Sequence, residues 1–326
     1  ESYTKAELVM TKFDDYLRGW NGKHFDKAII KSVPEASTAR QMLESGEVDI
    51  LDDLPMEMIK ALEKNPNIEI VRTPSFQNLL GFFNTKKAPF DNKLVRQAIS
   101  YAFPYDDVIK YIWKGNATQS KGTIPKGLWG HCEDIFQYTH NIEKARELLT
   151  KAGYPNGGFK LTLTYNSGDE HERKTAELFK AELAKLKIDL DIRGMPWDPQ
   201  WALARATNPE DRQDVFVMYW WPDYPDPLSW LLSMFHSEDE IVFNLGNYYN
   251  KEVDNLIDEA SQIAGIDRDK ATRLYCDAQR ILADNAVTLF VWDQMYLRIK
   301  RVSLKGYNDN PAYPHVVFFY DLYREK

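Results

Sequence analysis

Phe159-Lys-Leu-Thr-Leu-Thr-Tyr165, a helical run over residues 170–186 and Ile188-Asp-Leu-Asp-Ile192 follow one another directly, and their order decides the fold. Strand, helix and strand in close succession form a βαβ-like unit, and a crossover helix is how a chain joins two parallel strands. Upstream, residues 141–152 read as a helix closed by Gly153 with Pro155 beyond, the usual stop order. Downstream, residues 214–221 form a strongly apolar strand that runs into Pro222-Asp-Tyr-Pro-Asp-Pro227, which neither a helix nor an inner strand can continue. Long helices are predicted over 251–264 and 268–285, and residues 288–299 read as a strand pair or one long strand.

The first 85 residues carry the same alternation. Residues 27–33 read as a strand and 35–44 as a helix, with Ala36, Ala39, Met42 and Leu43 on one face and Gly46 just past its end. Residues 48–51 are a short strand, Pro55 opens a second helix, and 68–71 and 79–83 are two further strands. Beyond Lys86, Asp91 or Asn92 caps a helix in which Val95, Ala98, Ile99 and Ala102 recur at helical spacing. A loop rich in Gly, Pro and aromatics follows over 116–140, and the tail is rich in Tyr and Pro. The fold class is α/β, without internal repeats.

Composition narrows the function. The 326 residues suffice for two average domains. Apolar residues make up 44% and charged residues 28%, the balance of a globular protein rather than a disordered one. Mean hydropathy is -0.51, and apolar stretches such as 215–221 and 286–292 are too short to span a bilayer as helices. A net charge of -8 argues against a nucleic-acid partner. Glu1-Ser-Tyr-Thr4 has no charged-then-apolar signal segment. Two cysteines, Cys132 and Cys276, cannot make a four-ligand zinc site or a disulfide framework, and free thiols are the expectation over a bridge.

Enzyme signatures are scarce. The chain has no Gly-rich phosphate loop, no His-Glu-x-x-His and no Gly-x-Ser-x-Gly. His131-Cys-Glu133 has the His-x-Glu spacing of a zinc deaminase, but no Pro-Cys-x-x-Cys follows. The carboxylate pairs Asp52/Asp53, Asp106/Asp107 and Asp223/Asp226 read as solvated surface. A glycosidase needs two carboxyls facing each other about 5 to 9.5 Å apart, and one proline-stiffened loop is a poor way to span a substrate. No cofactor or metal is expected.

The informative stretch is Tyr219-Trp-Trp-Pro-Asp-Tyr-Pro-Asp-Pro-Leu-Ser-Trp230. A buried strand ends in two tryptophans, of which one should face the interior and one the ligand, because strand neighbours point to opposite faces. The prolines then fix a turn that presents Asp223. Trp230 reads as core and Asp226 as the cap of the following helix. Asp223 has two readings: a carboxylate at the C-terminal end of a strand, where α/β proteins place ligand-reading groups, or a cap on the backbone N–H groups of the turn.

Four segments together resemble one family. They are Ala39-Arg-Gln-Met-Leu-Glu-Ser-Gly-Glu-Val-Asp-Ile50, the run from Phe83 to Ala102 with its Pro-Phe-Asp and Val-Arg-Gln-Ala, Trp220 to Pro227, and Asn247-Tyr-Tyr-Asn-Lys-Glu-Val-Asp254. The chain resembles family 5 of the bacterial extracellular solute-binding proteins of ABC importers, the oligopeptide, dipeptide and nickel class. Pro104 and Ala286-Val287 depart from the family's pattern.

The resemblance implies a periplasmic-binding-protein type II-like fold with two lobes around a ligand cleft. Residues 1–85 and 290–326 would form lobe I and 86–289 lobe III, with the chain crossing near 83–86 and 292–296. It implies a receptor that captures a peptide or oligosaccharide by hinge closure, performs no chemistry and delivers its ligand to ABC permease subunits. The location would be periplasmic or extracellular, with the opening strand of lobe I and a signal peptide or lipid anchor upstream of Glu1. Asp223 would hold a peptide's α-ammonium group. The stretch 215–218 lacks the Arg that meets a peptide carboxylate in some members. Trp113, Trp129, Trp197, Trp201, Trp220 and Trp221 would suit sugars. The candidate ligand-binding residues are Asp223, Trp220, Trp221, Tyr224, Asn244 and Trp129. The rival from another class is a peptide- or carbohydrate-cleaving hydrolase using Asp223 and a second carboxylate.

Overall fold

The computed structural model describes residues 2–4, 6–313 and 316–325; Glu1 and Pro314, which belong to the N-terminal and tail readings, lie outside them. The chain divides into two compact units, Glu1–Ser75 with Met295–Lys326, and Phe76–Gln294. Both divisions fall inside strands, Ile68–Phe83 and Thr288–Arg301. The sequence reading had two strands, 68–71 and 79–83; the structure has one, which runs through Pro74. In its first half Glu69, Arg72 and Pro74 are exposed, whereas Gln77 to Phe83 are buried throughout. Proline removes a donor but leaves extended backbone intact, so the pattern broke while the strand continued. The 288–301 segment is likewise one strand.

The first unit has a three-stranded antiparallel sheet of Ser2–Tyr3, Glu7–Thr11 and Lys27–Lys31, with Leu8 opposite Ile30. The first two strands gave no clear sequence signal. Helix Ala36–Ser45 ends at Gly46, whose φ of 84° closes the last turn in the left-handed region open to glycine. Pro55 precedes helix Met56–Leu62, and Ile50–Leu51 pairs with the far end of the Thr288–Arg301 strand. Tyr16, Trp20, His24 and Tyr320 form an aromatic knot with ring centroids 4.7 to 5.6 Å apart.

In the second unit, Val215–Trp220 is the central strand. It runs antiparallel to the buried half of Ile68–Phe83, pairing Asn78 with Trp220 and Phe83 with Val215. On its other side lies Lys160–Asn166, parallel to it and also parallel to Asp189–Met195, so the βαβ unit is present with helix Glu170–Ala184 as its crossover. Asn92 caps helix Lys93–Ala102 by accepting the Leu94 N–H at 2.9 Å, and Val95, Ala98, Ile99 and Ala102 are all buried. Asn141 caps helix Ile142–Lys151 in the same way through Lys144 N–H. Helices Lys251–Ile263 and Arg268–Asp284 pack beside the core formed by Leu80, Phe82, Phe216, Met218, Trp230 and Phe235.

One expectation is overturned. Cys132 and Cys276 are not free thiols: they form a disulfide, with Cα atoms 5.8 Å apart. A separation of 144 residues carries no information about whether two thiols meet. Packing of the 120–132 loop against helix Arg268–Asp284 brings them together.

Candidate functional site

The Val215–Trp220 strand and its parallel neighbour Lys160–Asn166 end at the same edge, so the 221–227 turn stands at the carboxyl ends of strands. The strand ends at Trp220, and Trp221 opens the turn that follows. Trp220 is 9% exposed and meets Phe243 edge-on at 5.2 Å, whereas Trp221 is 44% exposed. Pro222 follows buried, then Asp223 and Tyr224 exposed.

Two other residues hold the turn. Pro227 holds the N-cap position of helix Leu228–Phe235, so Asp226 stands one residue before the expected cap; its Oδ1 accepts the Leu228 N–H at 3.0 Å, while the Asp226 N–H donates to Tyr224 O at 2.7 Å. Ser229 Oγ accepts the Asp223 N–H at 3.2 Å. The Asp223 carboxylate itself takes no hydrogen bond and no ion pair among the described residues. It retains all its acceptor capacity for a partner. The Tyr224 phenol is pushed above its ordinary pKa by partial burial and by the carboxylates of Asp226 and Asp223.

Trp129 arrives from the 120–132 loop. Its ring lies edge-on to buried Tyr275, centroids 5.8 Å apart, and the Arg268 guanidinium sits 4.6 Å over it. The adjoining Gly130 takes φ 83°, and a Cβ there would lie 2.5 Å from Pro227 Cγ. That close approach sets the loop against the Asp223 turn, and burial together with Asp226 and Tyr224 pushes the Tyr275 phenol above its ordinary range. The fold therefore gathers Trp129, Tyr224, Asp223 and Trp221 in one region of the second unit.

Asn244 departs from the reading. It is 2% exposed, and its amide is fully engaged in shaping its own loop. Nδ2 donates to His236 O at 3.0 Å and Tyr248 O at 2.9 Å, and Oδ1 accepts the Tyr248 N–H at 3.3 Å. Trp220 likewise belongs to the interior by burial. Trp113 is buried against His171 and Trp292, and Trp197 stacks on Trp201.

The buried Asp293 carboxyl has its pKa raised by burial and is held by Ser120 Oγ–H at 2.6 Å and Lys126 N–H at 3.3 Å. No group of three His, Cys, Asp or Glu side chains among the described residues could hold a metal ion.

Sequence reasoning missed Asn78 and Gln279, both fully buried. A signal existed: Gln279 lies four residues after Tyr275 and three before Leu282, on the apolar stripe of its helix.

Residues 1–240 match the model of the bacterial extracellular solute-binding proteins, family 5 Middle, and the chain belongs to that family. Its α/β fold is that of the periplasmic binding proteins; these are binding proteins, not enzymes. It is 29% identical to the probable D,D-dipeptide-binding periplasmic protein DdpA of Escherichia coli K12 over 322 residues, covering 97% of this chain and 60% of the relative. The dipeptide-binding protein of E. coli K12 is 28% identical, with 97% of this chain and 58% of the relative covered. Among solved structures, the ABC transporter-associated periplasmic binding protein DppA of Helicobacter pylori, in complex with peptide STSA, superposes with a TM-score of 0.87 at 28% identity, covering all of this chain and 62% of that one. The chain thus spans about three fifths of the length of these relatives. Neither the hydrolase nor the oligosaccharide reading finds a counterpart in them. No helix among the described residues is long and apolar enough to cross a membrane.

Proposed function

We propose that this chain is the solute-reading part of a peptide receptor for an ABC importer, working outside the cytoplasm and handing its ligand to permease subunits. The observation that carries the reading is the Asp223 carboxylate, exposed, unpaired among the described residues and fixed on a proline-bounded turn between Trp221 and Tyr224. Asp223 binds the α-ammonium group of a short peptide, and the neighbouring rings contact its first side chain. The named relatives support a peptide: two are described as dipeptide-binding or D,D-dipeptide-binding, and one structure holds a peptide. A signal peptide or lipid anchor upstream belongs to the same proposal.

The test is calorimetric titration with Ser-Thr-Ser-Ala and with its N-acetylated form. A charge-assisted hydrogen bond contributes roughly 1.5 to 3 kcal/mol, so acetylation should weaken binding at least about tenfold. Asp223→Asn should weaken the free peptide equally and leave the acetylated one unchanged, with the fold intact. Equal affinity of wild type and Asp223→Asn for the free peptide removes Asp223 from the site.

A further inference from the structure

We propose that Gln279 is a positioning residue for the Asp223 turn, acting through the Trp129 loop; the inference rests on the reading of Asp223 as the ammonium-binding group. Gln279 is wholly buried on helix Arg268–Asp284. Its Oε1 accepts from Thr123 N–H at 3.3 Å, Thr123 Oγ1–H at 3.1 Å and Ile124 N–H at 3.2 Å. Its Nε2 donates to Gly130 O at 2.9 Å and Tyr275 O at 3.2 Å, and lies 3.3 Å from Cys132 Sγ. An amide has two donors and one oxygen with two lone pairs, so every valence is used. A residue there only to fill core would be apolar, because burying an amide is costly unless it is bonded on both sides.

The partners of this amide lie at the two ends of one loop. Thr123 and Ile124 enter it, and Gly130 and Cys132 leave it, so the side chain closes the neck of a loop over 125–129 whose last residue, beside the neck, is Trp129. One turn earlier on the same helix, Cys276 closes the same neck covalently through Cys132.

Two routes run from the neck to the Asp223 turn. Thr123 O accepts from Asn78 Nδ2 at 2.9 Å, and Asn78 Oδ1 accepts from Trp230 Nε1–H at 3.1 Å. Trp230 adjoins Ser229, whose Oγ holds the Asp223 N–H. The second route is contact: Gly130 lies so close to Pro227 that no side chain fits between them. Both routes end on residues 227–230, the segment that fixes where Asp223 stands. Gln279 thereby sets the carboxylate's position without touching a ligand.

Hydrogen exchange on the whole chain tests this, comparing wild type, Gln279→Met and the double variant Cys132→Ala/Cys276→Ala. The amides of residues 120–132 and of Asp223 and Asp226 are the readout, and strands Lys160–Asn166 and Asp189–Met195 report on the fold. Gln279→Met should speed exchange at least about tenfold in both loop and turn and leave the two strands unchanged. A loop that loosens while Asp223 and Asp226 keep wild-type protection overturns the proposal, as does no change at all. If the reference strands also open in Gln279→Met, Thr123→Val, which removes one donor to Gln279 Oε1 at nearly constant volume, carries the same test with the same two outcomes, and the double cysteine variant shows how a loosened neck exchanges.

Peptide titration separates this proposal from the reading it rests on. Gln279→Met should reduce the preference for free over acetylated Ser-Thr-Ser-Ala at least about fivefold. Equal weakening of both peptides marks a merely structural role and overturns the positioning role. A wild type that does not distinguish the two peptides overturns the ammonium-binding reading instead, and the exchange result still decides the clasp.

Discussion

Trp220 and Trp221 are adjacent and chemically identical, yet the fold gives them opposite surroundings. Trp220 packs among Phe243 and the core, so Trp220→Ala should cost about 3 to 5 kcal/mol of stability in denaturant titration. Trp221→Ala removes a half-exposed ring and should cost less than about 1 kcal/mol while weakening peptide binding. Equal, large losses of stability from both would refute the separation. That the two rings would differ was legible in the sequence, although the strand ends at Trp220 and Trp221 opens the turn. Which ring does which was not, because parity depends on the register that pairs Trp220 with Asn78. Asn244 shows the opposite limit: an Asn in a polar loop looks available in sequence, and only the fold reveals that backbone consumes its amide.

At the scale of elements, the helix Glu170–Ala184 begins with a cap at Asp169 and a bond from its first turn back to the end of the preceding strand. Asp169 Oδ1 accepts the Glu172 N–H at 2.8 Å, and Glu172 Oε2 accepts the Asn166 N–H at 2.8 Å. Burial holds the Glu172 carboxyl well above the ordinary carboxylate value, and repulsion from Asp169 adds to it, against the opposing pull of the Asn166 N–H. Between the ordinary value and the raised one, the folded chain keeps a proton that the unfolded chain has lost, so stability falls as pH rises through that window. Glu172→Gln keeps the acceptor without the charge. Its Tm should exceed that of wild type near pH 8 and match it near pH 4, and calorimetric scans at the two pH values check this.

The disulfide is the second device at this scale. It ties an irregular loop to a helix across 144 residues of sequence. Cys132→Ala/Cys276→Ala should lose about 2 to 5 kcal/mol in urea unfolding, and an unchanged midpoint would show that Gln279 and packing suffice.

At the scale of the whole molecule, the two units differ in how well their strands are covered. In the first, Leu17 is 97% exposed and the strands Glu7–Thr11 and Lys27–Lys31 have no fully buried residue. In the second, the central strand is buried along most of its length. Of the nine tryptophans, Trp20 alone belongs to the first unit, so fluorescence reports almost wholly on the second. Unfolding followed by fluorescence should lag behind unfolding followed by far-ultraviolet circular dichroism, because the first unit opens earlier. Coincident transitions would show that the units unfold as one.

The sequence by itself determined the α/β class, the βαβ unit, a helix cap at Asp91 or Asn92, and the proline turn that carries Asp223. Each is set by neighbours a few residues apart, through hydrophobic periodicity, side-chain capping and the fixed φ of proline, and such signals survive in a one-dimensional string. Tertiary structure alone decided that Cys132 meets Cys276, that Gln279 closes the neck of the Trp129 loop, that Asn78 bridges Thr123 to Trp230, and that Ile68–Phe83 continues through Pro74. Those contacts join residues far apart in the chain, and whether a polar group is satisfied depends on which backbone atoms packing brings within reach. Periodicity states which face is buried, but not what lies against it.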